Sequence, residues 1–265
     1  MSELFDNCTP KYCIFSCIFH QQAFLDLYFL LLESYFLSNP TPPPNVHFII
    51  YTTSAFKDII QQSRFYNQNT FFFITNDEFQ SVDLACKARL DVFELPIINM
   101  YDKILYVDTG VVINADIRNI FDINLDENIY ALSEGSIDHE WDFWGSPLFI
   151  ERGGFDNYEN KTAFSTGVML FKNCEKIRNL FQTIKEDILE TNRLFCCCDQ
   201  PYIVYNAFKF NLYNNQVLNS YAVNNDTNIH SGKIVHHFPG GVGIADRKLC
   251  VMTEFINNMK NAINQ

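Results

Sequence analysis

Short runs of β-branched and aromatic residues alternate with longer segments of helical periodicity in the first half of the chain. The short runs predict buried strands at Tyr12–Phe19, Val46–Tyr51, Phe71–Thr75 and Ile104–Val107. The segments between them predict helices that end near Leu37, that run from Ser54 to about Ser63, and that cover Gln80–Phe93. Alternation of this kind predicts an α/β fold, with a mostly parallel central sheet flanked by helices on both faces.

The pattern changes after Phe121. Strands are predicted at Ile129–Leu132 and Lys233–His237, a turn running into a strand at Phe164–Phe171, and helices at Glu175–Thr191, Asp199–Phe208 and Lys248–Ile263. Residues 136–158 are aromatic and contain glycine, and no element is assigned to them; a loop of that length is usually functional or mobile. No internal repeat, low-complexity segment or linker interrupts the chain, so residues 1–265 are predicted to form a single domain.

Composition favours a large core and argues against two classes of partner. Hydrophobic residues make up 48% of the 265 residues, and the formal net charge is -12. Nucleic acids and anionic membranes are bound by basic patches, so neither is expected as a partner. The apolar run Leu25–Leu37 is too short to span a bilayer, and the N-terminus lacks the features of a signal peptide. Nine cysteines without a CxxC pair favour reduced thiols and a cytoplasmic location.

Asp108 directly follows the fourth predicted strand, in the sequence Asp108-Thr109-Gly110. Ligands of open α/β sheets collect at the carboxyl ends of the strands, so a carboxylate there can hold a cation or a ribose hydroxyl. The alternative is an ordinary strand-to-turn junction, where Asp and Gly are common for backbone reasons. Position alone leaves both interpretations open.

His236 and His237 end another predicted strand, and a glycine-rich run follows them. Aspartate and histidine together suit a divalent cation such as manganese, Mn2+, and glycines let backbone N–H groups approach phosphate oxygens. Lys248 is a candidate for neutralising the same phosphates. The alternative is that one histidine caps the strand while the other packs in the core.

Two further polar positions have both an ordinary and a functional explanation. Arg89 lies on a predicted helix, where it could form an ion pair along that helix or contact a bound ligand. Asp199 opens a helix with Gln200, and Asp is a good N-cap residue, so capping alone would explain it.

Five motifs occur in the order seen in glycosyltransferase family 8, namely RLDVFELP, YDKILYVDTGVVINADIRNIF, FSTGVMLF, CDQPYI and HHFPGG. From about Tyr12 to Met252 the chain resembles the glycogenin-like and lipopolysaccharide galactosyltransferase-like members of that family. The resemblance implies a GT-A fold and transfer of a hexose from UDP-glucose or UDP-galactose to a hydroxyl of a glycan, protein or small-molecule acceptor. It also implies retention of anomeric configuration and an Mn2+ ion on the diphosphate.

The resemblance assigns roles to residues of this chain. Asp108 matches the first carboxylate of the family's DxD motif, and His237 matches its third metal ligand. Asp199 and Gln200 match the pair below the anomeric carbon and are the catalytic candidates. The implied nucleotide-sugar-binding residues are Cys17, Phe19, Gln21, Arg89, Val107, Asp108, Thr109, Ser165, Thr166, Gly240 and Lys248.

One departure from the family pattern bears on the activity. Gly110 stands where the DxD motif has its second acidic residue, a principal metal ligand, so a weakened Mn2+ site is expected. An alternative function is therefore a GT-A-fold protein that binds a nucleotide or a glycan without turnover. A third possibility is a metal-independent transferase in which Arg89 and Lys248 hold the diphosphate.

The mechanism is also left open between two routes. Gln200 cannot ionise and is a poor nucleophile, which favours a same-face displacement in which the leaving phosphate takes the acceptor's proton. Asp199 remains the candidate nucleophile of a double displacement.

Overall fold

The computed structural model describes residues 11–138, 142–152, 161–191, 193, 195–240 and 244–264. The strands are β1 Tyr12–Ile18, β2 Val46–Thr52, β3 Phe71–Thr75, β4 Lys103–Val107, β5 Val111–Ile113, β6 Ile129–Ser136, β7 Thr162–Lys172, β8 Tyr213–Asn214, β9 Ala222–Asn224 and β10 Val235–His237. The α-helices are α1 Gln22–Ser38, α2 Ser54–Gln61, α3 Val82–Lys87, α4 Arg118–Phe121, α5 Ser146–Arg152, α6 Glu175–Thr191, α7 Gln200–Lys209 and α8 Ala245–Ile263.

Seven strands form the large sheet, in the order β3-β2-β1-β4-β7-β6-β8. Strands β3, β2, β1 and β4 are parallel, and β7 runs antiparallel between β4 and β6. A second sheet has the order β5-β10-β9. The turn Asp108–Gly110 joins β4 of the large sheet to β5 of the small one, so it lies where the two sheets meet.

Side chains alternate between the two faces of the large sheet, and helices cover both faces. Phe15 of β1 packs in a cluster that includes Phe181 of α6 and Tyr202 of α7. Ile14, the preceding residue, packs in the opposite cluster with Leu31 of α1. Burial on both faces explains the continuous apolar runs of the parallel strands. The predicted α/β fold with a mostly parallel sheet is confirmed.

The segment predicted as one helix over Gln80–Phe93 is divided. Helix α3 ends at Lys87, and a 3-10 helix continues over Ala88–Glu94. The α-helical prediction was wrong for this second part. Residues 88, 89 and 90 are all buried, and three consecutive buried positions do not fit the single apolar stripe of a surface α-helix.

The unassigned stretch 136–158 contains a 3-10 turn at Asp142–Trp144 and helix α5, while residues 139–141 and 153–158 lie outside the described part. Within the described ranges, no helix has the length and apolar character needed to cross a membrane. The described cysteines are all free thiols.

Candidate functional site

Asp108 emerges from the carboxyl end of β4 with one carboxylate oxygen engaged. Its backbone N–H donates to the Gly167 carbonyl of β7 at 2.8 Å. The Tyr106 hydroxyl donates to Asp108 Oδ1 at 2.6 Å. The side chain is still 39% exposed, so Oδ2 can accept a further partner.

His237 faces this free oxygen from the small sheet. It ends β10 and is in register with Val111 of β5, and the Phe238 N–H donates to the Gly110 carbonyl at 2.8 Å. The pairing places His237 Nε2 3.8 Å from Asp108 Oδ2. In the described part of the chain, Nε2 is buried without a hydrogen-bond partner. Burial lowers the pKa of His237 to about 4, although Asp108 opposes the shift, so the imidazole is neutral near pH 7.

Gly167 keeps the space between Asp108 and His237 open. A Cβ atom on this residue would lie 2.4 Å from His237 Nε2 and 2.8 Å from Asp108 Oδ2. Any other residue would push the two groups apart, so glycine is required here. The motif FSTGVMLF contains Gly167, but no role was assigned to this residue from the sequence. A glycine inside a strand often marks the close approach of another group, and that was the signal available for it.

Asp108 and His237 fit a divalent cation as two protein ligands. A carboxylate oxygen and an unpartnered imidazole nitrogen face each other, which is the donor set expected for such an ion. No group of three or more His, Cys, Asp or Glu side chains among the described residues could hold a metal. The remaining ligands would therefore come from a bound donor or from water.

Lys248 of α8 occupies the space into which a side chain at position 110 would project. A Cβ atom on Gly110 would lie 3.2 Å from Lys248 Nζ and 2.8 Å from the Phe238 carbonyl oxygen. Lys248 is 7% exposed, and its ammonium donates to the Gly240 carbonyl. Burial lowers the pKa of Lys248, and Asp108 opposes that shift. A cationic group thus lies beside position 110, where the family motif has its second carboxylate.

Arg89 and Asp199 form a buried bidentate ion pair. Arg89 Nε and Nη2 donate to the two Asp199 oxygens at 2.7 and 2.6 Å, and Nη1 donates to the Thr166 carbonyl at 2.8 Å. Asp199 is fully buried; burial raises its pKa, and Arg89 opposes the rise. The N-cap explanation of Asp199 and the explanation of Arg89 as an ion pair along its own helix were both wrong. Asp199 makes no side-chain cap on α7, because Arg89 takes both oxygens, and the partner of Arg89 lies 110 residues away rather than on its own helix.

Gln200 is held by protein groups at both ends of its amide. Its Oε1 accepts from the Thr166 N–H and from the Thr166 hydroxyl, each at 3.1 Å. Its Nε2 donates to the Phe143 carbonyl at 3.0 Å. The amide therefore fixes the middle of β7 against the start of α7.

A cavity of about 250 Å³ lies between these groups. The residues implied by the resemblance that line it are Cys17, Phe19, Arg89, Asp108, Thr109, Thr166, Asp199, Gly240 and Lys248. The other implied residues do not line it: Val107 and Ser165 are buried, the Gln21 amide contacts His20, and Gln200 and His237 make the contacts given above.

Four cysteines that sequence reasoning left without a role also line the cavity: Cys86, Cys196, Cys197 and Cys198. The Cys86 and Cys198 thiols are hydrogen-bonded to each other, and this bond lowers the pKa of Cys198. Their spacing in the sequence, 112 positions apart, gave no sign of this contact.

The sequence model of "Glycosyl transferase family 8" matches residues 12–238, most of the chain. The chain belongs to glycosyl transferase family 8. A comparison with curated proteins gives no match. Family 8 membership makes the protein a glycosyltransferase, and it explains why the motifs converge on one cavity.

Solved structures share the fold of this chain. The galactosyltransferase LgtC, crystallised with donor and acceptor sugar analogues, has a TM-score of 0.60 and 15% identity, covering 92% of this chain and 95% of LgtC. The apo bifunctional glycosyltransferase WbbM has a TM-score of 0.62 and 14% identity, covering 97% of this chain and 51% of WbbM. Apo GlyE of Streptococcus pneumoniae TIGR4 has a TM-score of 0.56 and 12% identity, covering 96% of this chain and 64% of GlyE. At these identities the likeness establishes the GT-A fold.

Proposed function

We propose that this family 8 protein transfers a hexose, glucose or galactose, from a UDP-sugar to an acceptor hydroxyl with retention of anomeric configuration. The observation that carries the proposal is the convergence of Asp108, the unpartnered Nε2 of His237 and the buried Lys248 beside one cavity. Departure of a nucleoside diphosphate needs cationic groups or a metal ion beside the phosphate oxygens, where negative charge develops. The likeness to LgtC, whose structure holds donor and acceptor sugar analogues, supports the same substrate classes here.

Three residues of this chain would stabilise the leaving diphosphate, two of them through a metal ion. Asp108 Oδ2 and His237 Nε2 would hold Mn2+, which when bound supplies Lewis-acid stabilisation of the negative charge that develops on the leaving group. The Lys248 ammonium would donate to a phosphate oxygen in place of its bond to the Gly240 carbonyl. Relative to a DxD motif, Gly110 removes a negative charge from the neighbourhood of the Lys248 ammonium, which favours an anionic ligand.

The positions of Asp199 and Gln200 favour a same-face displacement. Both Asp199 oxygens accept from Arg89, and both ends of the Gln200 amide are bonded to protein, so neither residue offers a free nucleophile. The acceptor hydroxyl would attack the anomeric carbon on the face from which the diphosphate departs. A phosphate oxygen would take the hydroxyl proton. Gln200 and Arg89 would act by fixing Thr166 beside the sugar.

A donor panel tests the proposal. Thermal stabilisation and slow hydrolysis of UDP-glucose, UDP-galactose, UDP-N-acetylglucosamine and GDP-mannose are measured with Mn2+ and with a chelator. We expect a UDP-hexose to stabilise the protein and to be hydrolysed in the presence of Mn2+, and Asp108→Asn to lose both effects. If no donor stabilises the protein under either condition, the proposal is wrong.

Gly110 favours a second candidate function, a family 8 protein that binds a nucleotide or a glycan without turnover. The same panel separates the two functions, because such a protein is stabilised by a donor but neither hydrolyses it nor transfers its sugar. The position of Lys248 next to Gly110 favours a variant of the main proposal in which the metal is dispensable. In that case hydrolysis persists in chelator and is lost in Lys248→Met.

A further inference from the structure

Asn224 links the candidate metal ligand His237 to a carboxylate that has no assigned role. Asn224 ends β9, and the parallel pairing of β9 with β10 sets it directly beside His237. Asn224 Oδ1 lies 2.8 Å from His237 Nδ1. Asn224 Nδ2 donates to Glu134 Oε2 at 2.7 Å.

Glu134 fixes the orientation of the Asn224 amide. A carboxylate only accepts hydrogen bonds, so the NH2 end of the amide must face Glu134 and the carbonyl end must face the imidazole. Glu134 lies in β6 where the register with β7 shifts, between Ser133 and Ser136, and its partly buried side chain reaches Asn224 of the small sheet. Burial raises the pKa of Glu134, and Ser165 opposes the rise.

The amide orientation determines the tautomer of His237. An amide oxygen can only accept, so Nδ1 of the imidazole carries the proton. A neutral imidazole protonated at Nδ1 has its lone pair on Nε2, the atom that lies 3.8 Å from Asp108 Oδ2. The lone pair therefore faces the space that Gly167 keeps open.

We propose that Glu134 and Asn224 are positioning residues that hold His237 in the Nδ1-protonated tautomer, so that Nε2 presents its lone pair to a divalent cation shared with Asp108. The proposal rests on the metal of the proposed function. Partners of this kind orient metal-binding histidines and raise metal affinity, and their loss costs roughly 10–100-fold. Neither residue is among those that the family resemblance assigns to the site.

The tautomer is read directly by long-range 1H–15N NMR of the metal-free protein. We expect wild type to show His237 protonated at Nδ1, and Asn224→Leu to lose that preference. Asn219→Leu is the matched control, because Asn219 also bridges to β6, through Ser133, without touching His237. An imidazole protonated at Nε2 in wild type, or an unchanged tautomer in Asn224→Leu, overturns the proposal.

Mn2+ binding is the second readout, measured by electron paramagnetic resonance of the free ion in the presence of UDP and without acceptor. We expect Asn224→Leu to weaken Mn2+ binding roughly 10–100-fold and Asn219→Leu to leave it unchanged. The double substitution Glu134→Gln with Asn224→Asp exchanges amide and carboxylate but keeps an oxygen acceptor on Nδ1. It should retain the tautomer and most of the affinity, and it keeps the test decisive if Asn224→Leu does not fold.

The two readouts separate the positioning role of Glu134 and Asn224 from the proposed function on which it rests. Absence of Mn2+ binding in a wild type that shows the Nδ1-protonated tautomer contradicts the proposed metal. Equal Mn2+ affinity in wild type and Asn224→Leu overturns the positioning role of Glu134 and Asn224, while the proposed function stands.

Discussion

Arg89 and Asp199 show how a single pair of side chains supports the cavity. The pair is buried and bidentate, and Arg89 also holds the Thr166 carbonyl, so it joins the 3-10 helix 88–94, strand β7 and the start of α7. Its net contribution to stability is limited by the desolvation of both charges. Removal of one partner is strongly destabilising, because the other charge is then left buried without compensation.

Asp199→Ala should therefore lower the free energy of unfolding by about 3–5 kcal/mol, measured by urea denaturation. Lys176→Ala is the control, since Lys176 and Glu127 form an exposed pair at 3.9 Å and such pairs contribute less than about 1 kcal/mol. Equal effects of the two substitutions would contradict the structural role given to the Arg89–Asp199 pair.

A second prediction at the residue scale concerns Cys198. Its pKa is lowered by the hydrogen bond from Cys86, whereas burial raises the pKa of Cys17 well above its usual range, although both thiols line the cavity. Iodoacetamide should thus modify Cys198 faster than Cys17, because the thiolate is the nucleophile. Peptide mass spectrometry over time measures both rates.

A bound UDP-sugar should slow the alkylation of Cys198 several-fold, since it would fill the cavity. The exposed Cys250, which is not among the residues that line the cavity, should react at the same rate with and without donor. Alkylation of Cys198 that is indifferent to a saturating donor would argue against a donor site in this cavity.

At the scale of elements, the turn between β4 and β5 is constrained by its neighbours in the small sheet. Gly110 pairs through its carbonyl with the Phe238 N–H, and position 110 has no room for a side chain because of the Phe238 carbonyl and Lys248. The packing of Phe238 and α8 against this turn therefore leaves no room for the second carboxylate of a DxD motif. A single substitution cannot restore it without displacing these groups.

Gly110→Asp should accordingly lower the free energy of unfolding by roughly 1–3 kcal/mol, the usual cost of overpacking, without tightening Mn2+ binding. Urea denaturation and titration with Mn2+ in the presence of UDP measure the two effects. Gly110→Asp combined with Lys248→Ala removes one of the two contacts and should recover part of the stability. Tighter Mn2+ binding by the single variant at unchanged stability would contradict this account of the turn.

At the scale of the whole molecule, buried histidines make stability depend on pH. His47 of β2 is buried, its Nδ1 lies 2.9 Å from the Tyr101 hydroxyl, and burial lowers its pKa. The unfolded chain, with a histidine pKa of about 6.5, then binds more protons than the folded chain at mildly acidic pH. The stabilising contribution is therefore present above about pH 6.5 and is lost as the pH falls through the lower folded pKa.

The free energy of unfolding should fall between pH 7 and pH 5, and the fall should be smaller in His47→Phe than in wild type. Urea denaturation at a series of pH values measures the difference in slope, in which effects common to both proteins cancel. His230→Ala, at an exposed position, is the control and should keep the wild-type slope. Parallel slopes for wild type and His47→Phe would exclude His47 as a source of the pH dependence.

The sequence by itself determined the family and most of the longer elements, because both depend on local patterns. The predicted bounds of β3 at Phe71–Thr75 and of α6 at Glu175–Thr191 agree with the structure, since apolar periodicity along the chain decides burial there. The ordered motifs placed Asp108 and His237 in a common site before any geometry was known. They also identified Gly110 as a departure from the family pattern.

Only the tertiary structure decided which groups meet. Arg89 finds Asp199 rather than a helical neighbour, and Gly167 leaves room for Asp108 and His237 to face each other, because strand register and side-chain direction act across distant segments. Lys248 fills the space beside Gly110 because α8 packs against α1 and β5 through Met252 and Phe255. A linear pattern reports burial and turns but not the partner of a polar atom, and those partners decide the chemistry of this site.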